Sequence, residues 1–189
     1  MSEPRPLRAD AVKNRERILE AAHRQITAHG PEVPMETIAA DAGVAVGTLY
    51  RHFPTKHDLV AAILNSHMQQ FTRAAEAVAD RVEAGAPAYD EVSAFARKIM
   101  EEAAGSMAVK AAARALGAHQ HSDTDLDRMV QAMERILEIG KSAGELRPDL
   151  TVDDFYLFLY TVPLDQPADV RDRWFELMMD GFRATGVGR

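Results

Sequence analysis

Apolar residues recur at helical spacing along most of this 189-residue chain, and glycines and prolines cut the pattern into segments. From Asp10 onward, Val12, Ile18, Leu19, Ala22 and Ile26 line one face until Gly30 and Pro31 end the run. A short helix is predicted next, with Pro34 in its first turn, Ile38, Ala39 and Ala42 turned inward, and Gly43 at its end. Gly47 to Phe53 reads as a second short helix, closed by Pro54. Thr55 then caps a long helix, with Asp58 three positions on in the manner of a capping box. The stripe of that helix runs through Leu59, Ile63, Met68, Phe71, Ala75, Val78 and Val82.

Past the break at Gly85 to Pro87, helices are predicted near 88–104, 106–117, 124–143, 152–162 and 168–185. No stretch alternates as a strand does, and no internal repeat is present. The expected architecture is all-α: three compact N-terminal helices joined by a long helix to a C-terminal helical domain. Residues 1–9, with Pro4, Pro6, Arg5 and Arg8, read as a flexible basic arm; residues 10–57 form the head and residues 58–189 the body.

Composition supports this division. Apolar residues make up 47% of the chain and aromatics only 6%, enough for a core built of helices. No run approaches the roughly 20 apolar residues of a membrane span, and the N-terminus lacks the apolar stretch of a secretion signal. With no cysteine there are no disulfides or thiolate metal sites, and a soluble cytoplasmic protein is expected. The net charge of −7 is unevenly spread: residues 1–57 hold eight Lys/Arg against seven Asp/Glu, whereas 58–189 hold fourteen against twenty-two. A near-neutral head with clustered Arg, Lys and His can meet phosphates; an acidic body is repelled by them.

The informative stretch is 34–56, PMETIAADAGVAVGTLYRHFPTK. A small Ala39 lets a second helix approach, Gly43 can take the left-handed conformation of a tight turn, and Val44 and Leu49 fill the angle between the helices. This is helix-turn-helix spacing, centred on about 34–53, in which the second helix enters the major groove. Ala45, Val46, Gly47 and Thr48 open that helix with small side chains that permit close approach to a groove wall. Thr48 can hydrogen-bond a base edge or phosphate, and Ala45 or Val46 can touch a thymine methyl. Tyr50, His52 and Lys56 offer a phenol, an imidazole and an ammonium to the DNA backbone, Lys56 at a helix start that already favours anions. Phe53 reads as a core aromatic, Tyr50 as a surface one, and Arg51 is divided between DNA and an internal ion pair.

The segment AGVAVGTLYRHFPTKHDL resembles the recognition segment of the TetR family of one-component bacterial regulators. ERILEAAHRQITAHG and IAADAG stand at the expected separations before it, so the specific resemblance covers about residues 10–60; GELRPDLTVDDF and LMMDGFRA are similar to C-terminal elements of that family. The resemblance implies that Ala45, Val46, Gly47, Thr48, Tyr50, His52 and Lys56 fall on DNA-contacting positions. Ala45 stands where Ser is often found, and Pro34 and Met35 where Thr or Ser often are, which implies fewer backbone contacts. It further implies a homodimer on a double-stranded, palindromic operator, acting as a repressor released by an unidentified small-molecule effector.

Within the body, Phe71, Phe95, Met100, Met107, Met129, Met133 and Phe158 are candidates to line an effector cavity, since Met suits adaptable pockets; packed core is the ordinary reading. Phe155, Leu159, Trp174, Leu177 and Met178, with Gly181 permitting a close crossing, are candidates for a four-helix dimer interface. Asp123, Asp125, Asp127 and Glu134 mimic the ligand spacing of a calcium loop, but Arg128 stands where the loop needs Gly, and helix-start acids account for them better. His119 and His121 lack a third ligand. No cofactor, metal or membrane contact is expected, and no catalytic constellation is present, so no enzyme. Two other readings stay open: a transcriptional activator with the same head, and a helical interaction protein that docks a protein partner.

Overall fold

The computed structural model describes residues 5–118 and 123–184. Among them the chain forms α1 (Arg5–His29), α2 (Met35–Asp41), α3 (Val46–His52), α4 (Lys56–Glu83), α5 (Ala88–Gly105), α6 (Met107–Leu116), α7 (Asp123–Ser142), α8 (Val152–Tyr160) and α9 (Ala168–Asp180). Helix α1 begins five residues earlier than the hydrophobic pattern implies, so part of the expected flexible arm is helical. Pro6 falls in its first turn, where a missing N–H forfeits no intrahelical bond. The calcium-like spacing from Asp123 lies in the first turns of α7, while His119 and His121 lie outside the described residues.

Helices α8 and α9 stop earlier than periodicity suggests, each for a local reason. Thr161 turns its hydroxyl back onto the carbonyls of Leu157 and Phe158 just ahead of Pro163. After Gly181 the chain leaves the helix to pair with the α7–α8 connection. Arg147 N donates to Phe182 O at 3.0 Å and Ala184 N to Glu145 O at 3.0 Å, around an antiparallel bridge between Leu146 and Arg183.

Contacts divide the chain into two compact units, Met1–His67 with Gly105–His121, and Met68–Ala104 with Ser122–Arg189. The first holds α1 to α3, the start of α4, and α6. Ile18, Ala22 and Ile26 of α1, Ile38 and Ala39 of α2, Leu49 of α3, and Leu59, Val60 and Ile63 of α4 share one core with Val109, Ala112 and Ala113 of α6. Buried side chains of α4 as far as Ile63, and those of α6, belong to this core. Burial of these apolar groups, at roughly 25 cal/mol per Å² removed from water, is what holds the short helices α2 and α3, which are too short to be stable alone.

In the second unit, aromatic rings gather on Phe158. Trp174, Phe182, Phe175 and Phe155 stand with ring centroids 4.9, 5.8, 5.9 and 6.2 Å from it, and Phe95 stacks on Phe155 at 6.1 Å. Arg128 and Arg135 of α7 bridge to α4, the first to Glu76 at 2.8 Å and the second to Asp80 and Glu83 at 3.2 and 2.7 Å. These pairs are solvent-exposed, so each contributes at most about 1 kcal/mol; they set the register of α7 on α4 more than they stabilise it.

Candidate nucleic-acid interface

The turn between α2 and α3 is built on Gly43, whose φ of +63° is a left-handed conformation that costs any residue with a Cβ about 1–2 kcal/mol. Its amide donates to Ala40 O at 3.1 Å and that of Val44 to Ala39 O at 3.0 Å, ending α2 with its last carbonyls satisfied. Ala45 then takes an extended conformation and opens α3: its carbonyl accepts from the amides of Thr48 and Leu49. No side chain caps this helix start.

Leu49 is fully buried and Phe53 nearly so, with the Arg15 guanidinium 5.5 Å from the Phe53 ring centre. Those two residues fix the inner face of α3, and helical geometry puts the rest outside. Val46 and Tyr50, four apart, share a face at 39% and 41% exposure. Gly47 and Arg51 share the next and are both exposed, while Thr48 and His52 are half-buried at its edge. A Cβ added at Gly47 meets nothing within 4 Å, so this corner of α3 is open. Arg51 forms no ion pair among the described residues, which removes the internal partner that the sequence left open.

Two of the seven expected contact residues are engaged within the protein. The Tyr50 hydroxyl donates to Glu36 Oε1 at 3.3 Å, linking α3 to the first turn of α2. Loss of solvent, then the Glu36 charge and hydrogen bond, push the phenol up from its ordinary pKa. Lys56 Nζ donates to Pro31 O at 2.8 Å, tying the start of α4 to the α1–α2 connection and leaving two N–H groups for another acceptor. Thr55 and Asp58 cap α4 reciprocally: the Thr55 amide donates to Asp58 Oδ2 and the Asp58 amide to Thr55 Oγ1, both at 3.1 Å. The Thr55 hydroxyl bond to Asp58 is the main cause that holds this carboxyl below the usual aspartate range. Sequence reading missed Glu36; its one signal was a carboxylate in the first turn of a helix that crosses the recognition helix.

In the second unit the structure separates the effector candidates. Phe95, Met100, Met129, Met133 and Phe158 are buried in one packed core, with Phe71 half-buried against it. Met107 does not join them: it lies on α6, in the first unit, at 45% exposure. A cleft of about 660 Å³ does open between α7 and α8, over Val130, Leu137, Val152 and Tyr156 and beside Glu134 and Glu138. None of the seven candidates lines it. Among the interface candidates, Phe155 is buried in the core, whereas Leu177 and Gly181 are exposed and Leu159, Trp174 and Met178 half-buried. Leu157 and Tyr160, the latter 84% exposed, extend the same apolar surface along α8.

Two short helices crossing at a left-handed glycine, with the second offering an open face of small side chains, define a helix-turn-helix protein. The family model of bacterial regulatory proteins of the tetR family matches residues 18–63, and that of the C-terminal domain of SbtR-like transcriptional regulators matches 88–184. The chain belongs to the TetR family, whose members are DNA-binding regulators and not enzymes. It is similar to the crystal structure of a TetR transcription regulatory protein from Mycobacterium vanbaalenii, with 30% identity and a TM-score of 0.76 over 94% of this chain and 99% of that one. A TetR transcriptional regulator from Streptomyces coelicolor aligns at 27% identity and a TM-score of 0.72, over 91% and 99%. An HTH-type transcriptional regulator of Staphylococcus aureus is 41% identical over 66 residues, a match spanning 34% of this chain and 36% of that relative. No helix among the described residues is long and apolar enough to cross a membrane.

Proposed function

We propose that this protein is a cytoplasmic transcriptional repressor that binds a palindromic operator as a homodimer and is released by a small molecule held in its C-terminal unit. The observation that carries the reading is the open, small-residue corner of α3 at Ala45 to Thr48, flanked by Tyr50, Arg51 and His52. Two copies of α3 would enter successive major grooves about 34–36 Å apart. Exposed Leu157, Tyr160 and Leu177 on α8 and α9 supply the apolar surface for pairing of two chains. An effector would favour one tilt of α4, and a coupling of about 1–3 kcal/mol would change operator affinity some 5- to 150-fold. The cleft between α7 and α8 would be the place where such an effector first docks.

The test is selection of bound genomic fragments by the full chain, with Tyr50→Ala and the Tyr50→Ala, Lys56→Ala double variant in parallel. The single variant is needed because Lys56→Ala also removes the bond to Pro31. Recovery of a shared palindrome by the wild type, lost in both folded variants, is the expected outcome. Enrichment of nothing at low salt, or of the same fragments by the variants, moves a protein-docking role for the head to the front.

Glu36 supplies a second prediction. To reach a phosphate, the Tyr50 O–H must leave Glu36, whose carboxylate then faces the DNA backbone unpaired. Glu36→Gln keeps an acceptor for Tyr50 without the charge, so operator affinity should rise about three- to tenfold at low salt and less at high salt. Titration of binding against salt measures it; unchanged or weaker binding of the variant places Glu36 away from the DNA.

A further inference from the structure

Inside the first unit, the contact of α6 with α1 and α4 carries an unusual set of groups. His23 of α1 and His67 of α4 meet edge to face, with ring centroids 5.1 Å apart at 71°. His23 Nε2 lies 3.4 Å from the Oγ of Ser106, a buried residue immediately before α6. Lys110, one turn into α6, is the other charged group that acts on His67, and Arg114, a turn further, acts on Lys110. The charged groups that act on this pair are thus basic. Among the described residues neither imidazole has an ion-pair partner.

We propose that His23 and His67 form a pH-sensitive latch that holds α6 against α1 and α4 when both rings are neutral and loosens when they take up protons. The geometry supplies the reason. Two imidazolium rings in edge contact, with the Lys110 ammonium acting on one of them and no ion-pair partner among the described residues, repel one another, and partial burial withholds the water that would screen them. Protonation also removes the lone pair with which a ring nitrogen can accept from the Ser106 hydroxyl. Burial lowers the pKa of both rings below 6.5, and for His67 the charges of His23 and Lys110 lower it further. The unfolded chain then binds more protons than the folded one as pH falls below 6.5. The latch is thus at full strength above that value and is lost progressively as pH drops through the lowered values. What loosens is the seating of Val109, Ala112 and Ala113 on α1, the helix whose Ile18 and Ala22 also support α2 and α3.

The experiment is amide hydrogen exchange of α6 in the full chain at several pH values from about 5 to 8, corrected for the intrinsic pH dependence of exchange. The wild type is compared with a His23→Phe, His67→Phe double variant, which keeps ring packing and cannot titrate; His67→Gln is run as well in case the double variant fails to fold. Protection of α6 in the wild type should fall about tenfold or more between pH 7.5 and 5.5, with a change under about threefold in the double variant and an intermediate one in His67→Gln, which keeps His23. NMR titration should place both ring pKa values below 6.5. An identical pH response in wild type and variants, or ring pKa values at or above 6.5, overturns the latch.

A consequence that rests on the proposed DNA-binding role is a matching loss of operator affinity on acidification, absent from the double variant. Failure to bind DNA at any pH would count against the DNA-binding reading alone, because the exchange measurement decides the latch without DNA.

Discussion

Replacing Gly47 by Glu is expected to abolish operator binding while leaving the fold as stable as before, or slightly more so. The position is exposed, and a Cβ there meets nothing within 4 Å, so the new side chain displaces no part of the protein. Within a helix, any ordinary residue improves on Gly by up to about 1 kcal/mol, and an acid in the first turn also interacts favourably with the helix dipole. The same carboxylate would point from the open corner of α3 into a groove walled by phosphates. Like charges brought together at an interface cost several kcal/mol, which corresponds to a loss of at least about 100-fold in affinity. Gly47→Ala adds only a methyl group and should bind close to wild type. Thermal melting alongside a binding titration separates the two effects. If Gly47→Glu retains affinity within about threefold, the N-terminal corner of α3 does not face DNA, whatever else the protein binds.

Phe158→Ala should be the most destabilising single change in the second unit. The ring is buried and has four aromatic neighbours, on α8, on α9 and just beyond α9. Truncation of a buried Phe to Ala costs about 3–5 kcal/mol in lost burial and residual cavity, against a typical total stability of about 5–15 kcal/mol. Phe158→Leu, nearer in volume, should cost about 1.5 kcal/mol or less. Urea unfolding followed by circular dichroism measures both. A loss below about 1 kcal/mol for the alanine variant would mean that the ring borders an open cavity, the role periodicity allowed it, and not the centre of a packed core. The distinction matters for the effector, since a ligand that lodges among these aromatics must displace packing that the unliganded protein already makes.

Gly47 and Phe158 differ in how far the sequence alone reveals their surroundings. Gly47 was readable in advance because everything that defines it lies within about twenty residues: Gly43 makes the turn, Leu49 and Phe53 take the inner face, and what remains must face out. The capping of α4 by Thr55 and Asp58 was legible on the same ground. Phe158 and Phe155 were not assignable. Helical spacing says that a side chain is turned inward, but not which surface meets it, and a core aromatic, a pocket wall and an interface anchor give the same pattern. Met107 shows the limit from the other side, an apolar residue on an amphipathic helix that lies at its exposed edge.

By itself, then, the sequence determined the helical elements, the glycine turn between α2 and α3, and the open face of α3. All of these follow from local steric rules and from the hydrophobic period. Tertiary structure alone decided that α6 packs on α1 and α4, that the segment after α9 pairs with Glu145 to Arg147, that Phe155 belongs to the core, and that Tyr50 and Lys56 are held by Glu36 and Pro31. Each of these is a meeting of groups separated by 14 to 83 residues in the chain, or by comparable distances. Such meetings depend on which buried faces fit together and which polar groups must be satisfied when they do, and no periodicity along a single chain records that choice.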